Sequence, residues 1–200
     1  MYCHGADLLI QDCEIHHFTG FGIHPHRGSA VKPTGVRLIG NRIHTGVVTG
    51  EPSPGHVGLG LCNGVLAYDN LIYDIYPGNN ENSVAIAAGV INAQVYFTTS
   101  VNCRRGMDLN GSSNPASNIV RNLLGYLNTS GEGFQNGTPT NSNNSFGVNP
   151  QFANLAGKDF HLTGGSPVNI RTGGVAVAGI TTDLDGVAWA NPPSMGCYQV

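Results

Sequence analysis

The stretch Val36-Arg37-Leu38-Ile39-Gly40-Asn41-Arg42-Ile43-His44 keeps returning along the chain. A large apolar residue, preceded two places earlier by asparagine or a small residue, stands at Ile15, Ile43, Ile72, Val101, Leu124 and Phe146, in steps of 28, 29, 29, 23 and 22 residues. The residues two places earlier are Cys13, Asn41, Asn70, Thr99, Asn122 and Asn144, so asparagine holds four of six equivalent turn positions. Self-similarity at a period of roughly 20 to 50 residues is the mark of a stacked repeat, in which each unit buries its apolar face only against its neighbours.

Composition narrows the units to strands. Charged residues are 10% of the 200 and the net charge is -3, which leaves no electrostatic footprint for nucleic acid or an anionic membrane. Twenty-nine glycines and eleven prolines suit short strands and tight turns better than helices. The five cysteines, Cys3, Cys13, Cys62, Cys103 and Cys197, contain no C-x-x-C pair and read mostly as small buried hydrophobes, with room for one disulfide. Residues Met1 to Asp7 have neither a basic nor an apolar region of the secretory kind. The chain therefore works where it is made or is an exported protein that lacks its beginning. The longest apolar run, Val84 to Ile91, is about eight residues, too short for a membrane span.

Register is visible over three units. Leu8, Ile10, Cys13 and Ile15 fall on Val36, Leu38, Asn41 and Ile43, and then on Val65, Ala67, Asn70 and Ile72. In the next unit Val95 sits one place out of phase with Val101, which predicts a bulge or a slipped register. A second, glycine-bracketed run alternates with a period near two at Gly20 to Ile23, Gly58 to Leu61, Val84 to Ala88, Gly106 to Leu109 and Gly131 to Phe134. An antiparallel sandwich would accept short strands but gives no reason for asparagine to recur at one column. A parallel coil does, because equivalent residues stack about 4.8 Å apart and asparagine tolerates the left-handed bend. The expected fold is all-β: a right-handed parallel β-helix of about six coils over residues 1–147. An irregular C-terminal segment, 148–200, would cap it and can cover one open end.

These Asn-punctuated coils resemble the parallel β-helix repeats of the pectate-lyase-like superfamily. The segments Asn149-Pro150-Gln151-Phe152, Asp159-Phe160-His161-Leu162 with Gly165-Ser166-Pro167, and Asp183-Leu184-Asp185-Gly186 are similar to the tail of bacterial surface β-helix proteins of the choice-of-anchor type; at the end Met195 to Gln199, only Gly196 and Tyr198 match that pattern. The resemblance implies an extracellular or cell-surface bacterial-type protein and a polysaccharide or glycan partner.

The candidate chemistry is mostly histidine. With Ile15, Ile43 and Ile72 inward, the next residues His16, His44 and Tyr73 form an outward column, the place where a function would lie. His24 and His26, with His56 from an adjacent turn, have the spacing of a low-order metal site, and the other reading is a solvated polar face. No cofactor is expected, with calcium or zinc as the alternative. Asp183-x-Asp185-Gly186 opens like a calcium loop but lacks its later acidic ligands, so it reads as a turn. Asn41, Asn70, Asn122 and Asn144 are expected to form a structural ladder. The scattered arginines and acids assign no catalytic residue. The leading expectation is a structural or carbohydrate-contacting surface module, able to self-associate head to tail through open ends. The alternative is a polysaccharide lyase or related carbohydrate enzyme.

Overall fold

The computed structural model describes residues 2–3, 6–25, 34–46, 57–75, 82–86, 90–109 and 114–200. After β1 (Tyr2–Cys3), the chain lays down strands in threes: β2 (Leu9–Gln11), β3 (Glu14–Phe18) and β4 (Phe21–Pro25); β5 (Arg37–Ile39), β6 (Arg42–Gly46) and β7 (Val57–Leu61). The next threes are β8 (Leu66–Tyr68), β9 (Leu71–Ile75) and β10 (Asn82–Ile86); β11 (Gln94–Tyr96), β12 (Thr99–Val101) and β13 (Arg105–Asp108). Then come β14 (Ile119–Arg121), β15 (Leu124–Tyr126) and β16 (Phe134–Gln135), and finally β17 (Thr140–Ser142) and β18 (Ser145–Phe146). Every third strand pairs in parallel, giving three six-stranded sheets: β1-β4-β7-β10-β13-β16, β2-β5-β8-β11-β14-β17 and β3-β6-β9-β12-β15-β18. The expected parallel β-helix is the fold.

The corners explain why the chain can turn so tightly. Among the described residues two sets of corners use residues in the left-handed region, and these too run in columns. Asp12, Asp69, Phe97, Asn122 and Asn143 occupy it at φ 53, 53, 44, 59 and 54°, joined by Gly40 at 63°. His17, Thr45, Asp74, Asn102 and Leu127 do so at the next corner. Asp and Asn dominate because their short polar side chains lower the cost of that conformation.

The core is a set of inward columns. In the second sheet Ile10, Leu38, Ala67, Val95 and Val120 stand in register. In the first, Ile23, Leu59, Val84, Met107 and Phe134 do, and all of these belong to one apolar cluster. Glycine between them lets coils approach: a Cβ on Gly22 would lie 2.6 Å from both the Gly58 carbonyl oxygen and a methyl of Ile43.

The third sheet corrects the sequence alignment. Its inward column is Ile15, Ile43, Ile72, Ser100, Gly125 and Phe146; Val101 and Leu124 do not belong to it. Val101 stands in the outward column of Tyr73. It is apolar because the outer face of this sheet is covered: Leu71, Val101, Phe160, Cys197 and Tyr198 form a second apolar cluster, and Leu124 packs with Leu162, Ile170 and Met195.

The cover is the segment after Phe146. It holds one short helix, α1 (Val168–Arg171), and two isolated antiparallel bridges, Asn154 to Asp159 and Thr182 to Ala188. It lies along the flank of the coils, over a length that runs from Arg42 of β6 to Asn143 beside β18, where the sequence suggested an end cap. The reason is the outward apolar residues just named, which need a cover along the flank.

Candidate functional site

Asn41, Asn70 and Asn144 share one clip. The side-chain oxygen of each accepts the backbone N–H of the equivalent residue one coil earlier, from Cys13 (3.2 Å), Asn41 (3.1 Å) and Leu123 (2.7 Å) respectively. Each side-chain amide then donates to the carbonyl three residues before that one, on Ile10, Leu38 and Val120. Asn128 repeats the pattern at another corner, with Cys103 and Ser100. Asn122 is not part of this ladder. It lies one residue earlier, in the left-handed corner column, and its amide is aimed at the tail. It accepts from Val175 N–H at 2.9 Å and donates to the Val175 carbonyl at 2.8 Å. Asparagine is favoured in both columns for different reasons, which is why spacing alone merged them.

His16, His44 and Tyr73 stand in register on the outer face. Their rings stack, His16 on His44 at 5.3 Å and 14°, His44 on Tyr73 at 4.6 Å and 11°. The stack continues into the tail through Phe160, 4.9 Å from Tyr73, and Lys158 sits 5.9 Å over the Tyr73 ring while pairing with Asp74 at 2.6 Å. His44 also bonds Glu14 at 3.1 Å; that bond holds the Glu14 carboxyl below the usual range. Half of this column is thus the seat of the tail.

Beside it, Arg42 pairs with Asp185 at 2.7 Å, and His161 spans Asp159 at 2.5 Å and Asp185 at 2.6 Å. Burial pulls the His161 imidazole down, but its two carboxylate partners outweigh that and leave it above the ordinary histidine value. These contacts fasten the tail. Asp183 makes the turn expected of Asp183-x-Asp185-Gly186: its Oδ1 accepts Asp185 N–H and Val187 N–H.

Of the histidines considered for a metal, His24 is 7% exposed and stacked on Phe21 at 3.9 Å. His26 and His56 lie outside the described residues. Among the described residues no group of three His, Cys, Asp or Glu side chains is placed to hold an ion. Cys3, Cys13, Cys62, Cys103 and Cys197 are all free thiols, the last three buried.

A different feature has the form of a binding site. On the outer face of the second sheet, Tyr68 of β8, Tyr96 of β11 and Arg121 of β14 are consecutive members of one column. With Leu66 and Gln94 they floor a groove of about 570 Å³. The tail residues Ala176, Val177, Ala178, Gly179 and Ile180 form its wall. Tyr96 donates to Gln94 Oε1 at 2.9 Å. Burial pushes both phenols up, Asp69 adding to it at Tyr68 and Arg121 partly reversing it at Tyr96, so both are neutral hydroxyls near neutral pH. The Arg121 guanidinium has no ion-pair partner among the described residues. The sequence did carry a signal: Tyr68 and Tyr96 are 28 residues apart and Arg121 is 25 further on, in step with the repeat but on the outward side of its first strand.

Fold and groove together define a parallel β-solenoid with a laterally strapped tail. No family model, no curated protein and no solved structure matches the chain. No helix among the described residues is long and apolar enough to cross a membrane.

Proposed function

We propose that this is an extracellular, bacterial-type surface module that contacts carbohydrate along the outer face of its second sheet. The observation that supports this is the groove over Tyr68, Tyr96 and Arg121. Half-buried Tyr68 and the nearly buried Tyr96 one coil on, set beside Gln94 and the Arg121 guanidinium, floor a concave, elongated surface that suits a ligand whose units are hydroxyl-rich and repeat along a line. The surface location follows from the resemblance of the coils and tail to the pectate-lyase-like and choice-of-anchor proteins. Calorimetric titration with a panel of neutral and acidic polysaccharides tests it. At least one polymer is expected to bind with saturation, and Tyr68→Ala or Arg121→Ala is expected to weaken it about tenfold or more. A panel with no ligand would overturn the reading. The same panel, followed by ultraviolet absorbance for unsaturated ends, tests the lyase alternative, which requires new absorbance.

Self-association is the second element of the proposal. Among the described residues the strands β1, β2, β3, β16, β17 and β18 each have a strand neighbour on one side only, and such edges pair readily. Light scattering at micromolar concentration is expected to show species larger than one chain; a strict monomer would remove this element.

A further inference from the structure

The tail crosses the coils along one left-handed corner column, touching it once per coil. The Asn143 amide donates to the Gly173 carbonyl at 2.8 Å, Asn122 and Val175 bond in both directions, and Phe97 carries the Trp189 ring at 4.3 Å and 22°. At Gly40, the far end of the strap, an added Cβ would lie 3.7 Å from a Leu184 methyl. None of these four rungs carries a charge. The rung between Phe97 and Gly40 is Asp69, and there the strap brings in a second carboxylate, Asp183. Both are buried, at 4% and 5% exposed. Asp183 spends its oxygens on the strap itself, accepting the N–H groups of Asp185, Val187 and Gln199, whereas Asp69 Oδ1 has no hydrogen-bond partner among the described residues. Neither carboxylate pairs with a cation among the described residues. The other titratable groups beside Asp69 are the Tyr68 phenol and the Cys197 thiol, both pushed up by burial and neutral, and Arg42, near Cys197, is committed to Asp185. Two buried anions with no cation between them cannot both be charged without a large cost.

We propose that this rung is a pH-operated catch: with a proton on Asp69 the strap lies closed along the corner, and when that proton leaves, residues 176–192 lift and take the wall of the groove with them. The loss of a ligand on opening rests on the carbohydrate reading above; the catch itself does not. The coils can stay intact, because the three sheets are built of coil strands alone and the Thr182 to Ala188 bridge is internal to the strap. Linkage fixes the direction. Burial first, and then the Asp183 charge, hold the closed Asp69 carboxyl up at about 8, and release into water returns it to the ordinary Asp value. The closed form keeps a proton that the open form gives up, so the open-to-closed ratio rises by up to about tenfold for each pH unit between about 4 and about 8. His161, which lies 4.1 Å from the Tyr198 ring and bonds Asp159 and Asp185, pulls the same way. Burial lowers its imidazole but the two carboxylates outweigh that, so its grip on Asp185 is full below the ordinary histidine value and lost as pH rises through the raised one. Its side chain is 45% exposed, which makes this the smaller contribution.

Trp189 is the only tryptophan in the chain and rides on the strap, so its fluorescence reports the catch without a label. From about pH 5 to about pH 9 its emission is expected to shift reversibly to longer wavelength and to lose protection from acrylamide, while far-ultraviolet circular dichroism keeps the β signal of the coils. Asp69→Asn is expected to hold the acid-side signal throughout, apart from a small step due to His161; Asp69→Gly, the residue this column already uses at Gly40, is the second variant. A polymer of the panel that binds at about pH 5 is expected to lose at least about tenfold in affinity by about pH 9 in the wild type and to keep it in the variants. Emission and quenching that do not change with pH, or a wild-type response in both variants, would overturn the catch and leave the carbohydrate reading standing. A tryptophan response with constant polymer affinity refutes control of the groove. If no polymer binds at either pH the carbohydrate reading falls, and the fluorescence still decides the catch.

Discussion

Asp69→Asn is expected to stabilise the protein, by an amount that grows with pH. Asp69 is 4% exposed at the corner between β8 and β9, its Oδ1 has no hydrogen-bond partner among the described residues, and the tail over this flank brings in Asp183. That second carboxylate is fully bonded, to Asp185 and Val187 N–H through Oδ1 and to Gln199 N–H at 2.8 Å through Oδ2. Burial first, and then the Asp183 charge, push the Asp69 carboxyl up to about 8. The sign follows from linkage. The folded chain keeps a proton on Asp69 that the unfolded chain releases near the ordinary Asp value, so stability falls as pH rises from about 4 to about 8 and is lowest above that. Each unit of that window is worth about 1.4 kcal/mol. Asparagine has the shape of the protonated acid, cannot ionise, and is already used at φ 59 and 54° by Asn122 and Asn143 in the same corner column. The wild type and the variant should therefore be about equally stable near pH 4 and separate steadily to about pH 8, with the variant ahead by a few kcal/mol and the gap constant above that. Parallel pH profiles would show that Asp69 is not held protonated in the fold.

The repeat was legible in the sequence wherever the alternation of inward and outward residues followed the ordinary contrast of apolar and polar. Ile15, Ile43 and Ile72 kept their column for that reason. It failed at Ser100 and Val101, where the polar residue points inward and bonds Asn128 and the apolar one points outward beneath Phe160, Cys197 and Tyr198. A segment some 60 to 100 residues away in the chain inverted the local pattern, and nothing local announces that. The same distance hid the groove. Tyr68, Tyr96 and Arg121 are periodic, but only the wall at Ala176 to Ile180 turns an outward column into a concave site. Asn122 was misassigned because a clip to the previous coil and a left-handed corner that reaches for Val175 use the same amide group, one residue apart.

That distinction makes Asn70 the most demanding position in the scaffold. Its side chain is fully buried and makes four hydrogen bonds. It accepts the Asn41 backbone N–H at 3.1 Å and the Asn41 amide at 3.0 Å, and it donates to the Leu38 and Tyr68 carbonyls at 2.9 and 3.0 Å. Leucine fills similar space but offers none of these. The Asn41 amide keeps Ile10 as an acceptor and the Tyr68 carbonyl keeps the Gly40 N–H, so the uncompensated loss is chiefly the buried Asn41 N–H. One such orphan costs about 1 to 3 kcal/mol, and the weakened bonds around it add to this. Asn70→Leu should lower stability by roughly 2 to 4 kcal/mol, a fall in melting temperature of about 5 to 15 °C for a chain of this size. Asn122→Leu should act differently. Its loss leaves the coil-to-coil clips intact and frees Val175 from the flank, so limited proteolysis should cut first in the tail while the coils survive. If both variants destabilise the coils alike, the two asparagine columns are one ladder after all; if Asn70→Leu is neutral, the clip does not hold the coils together.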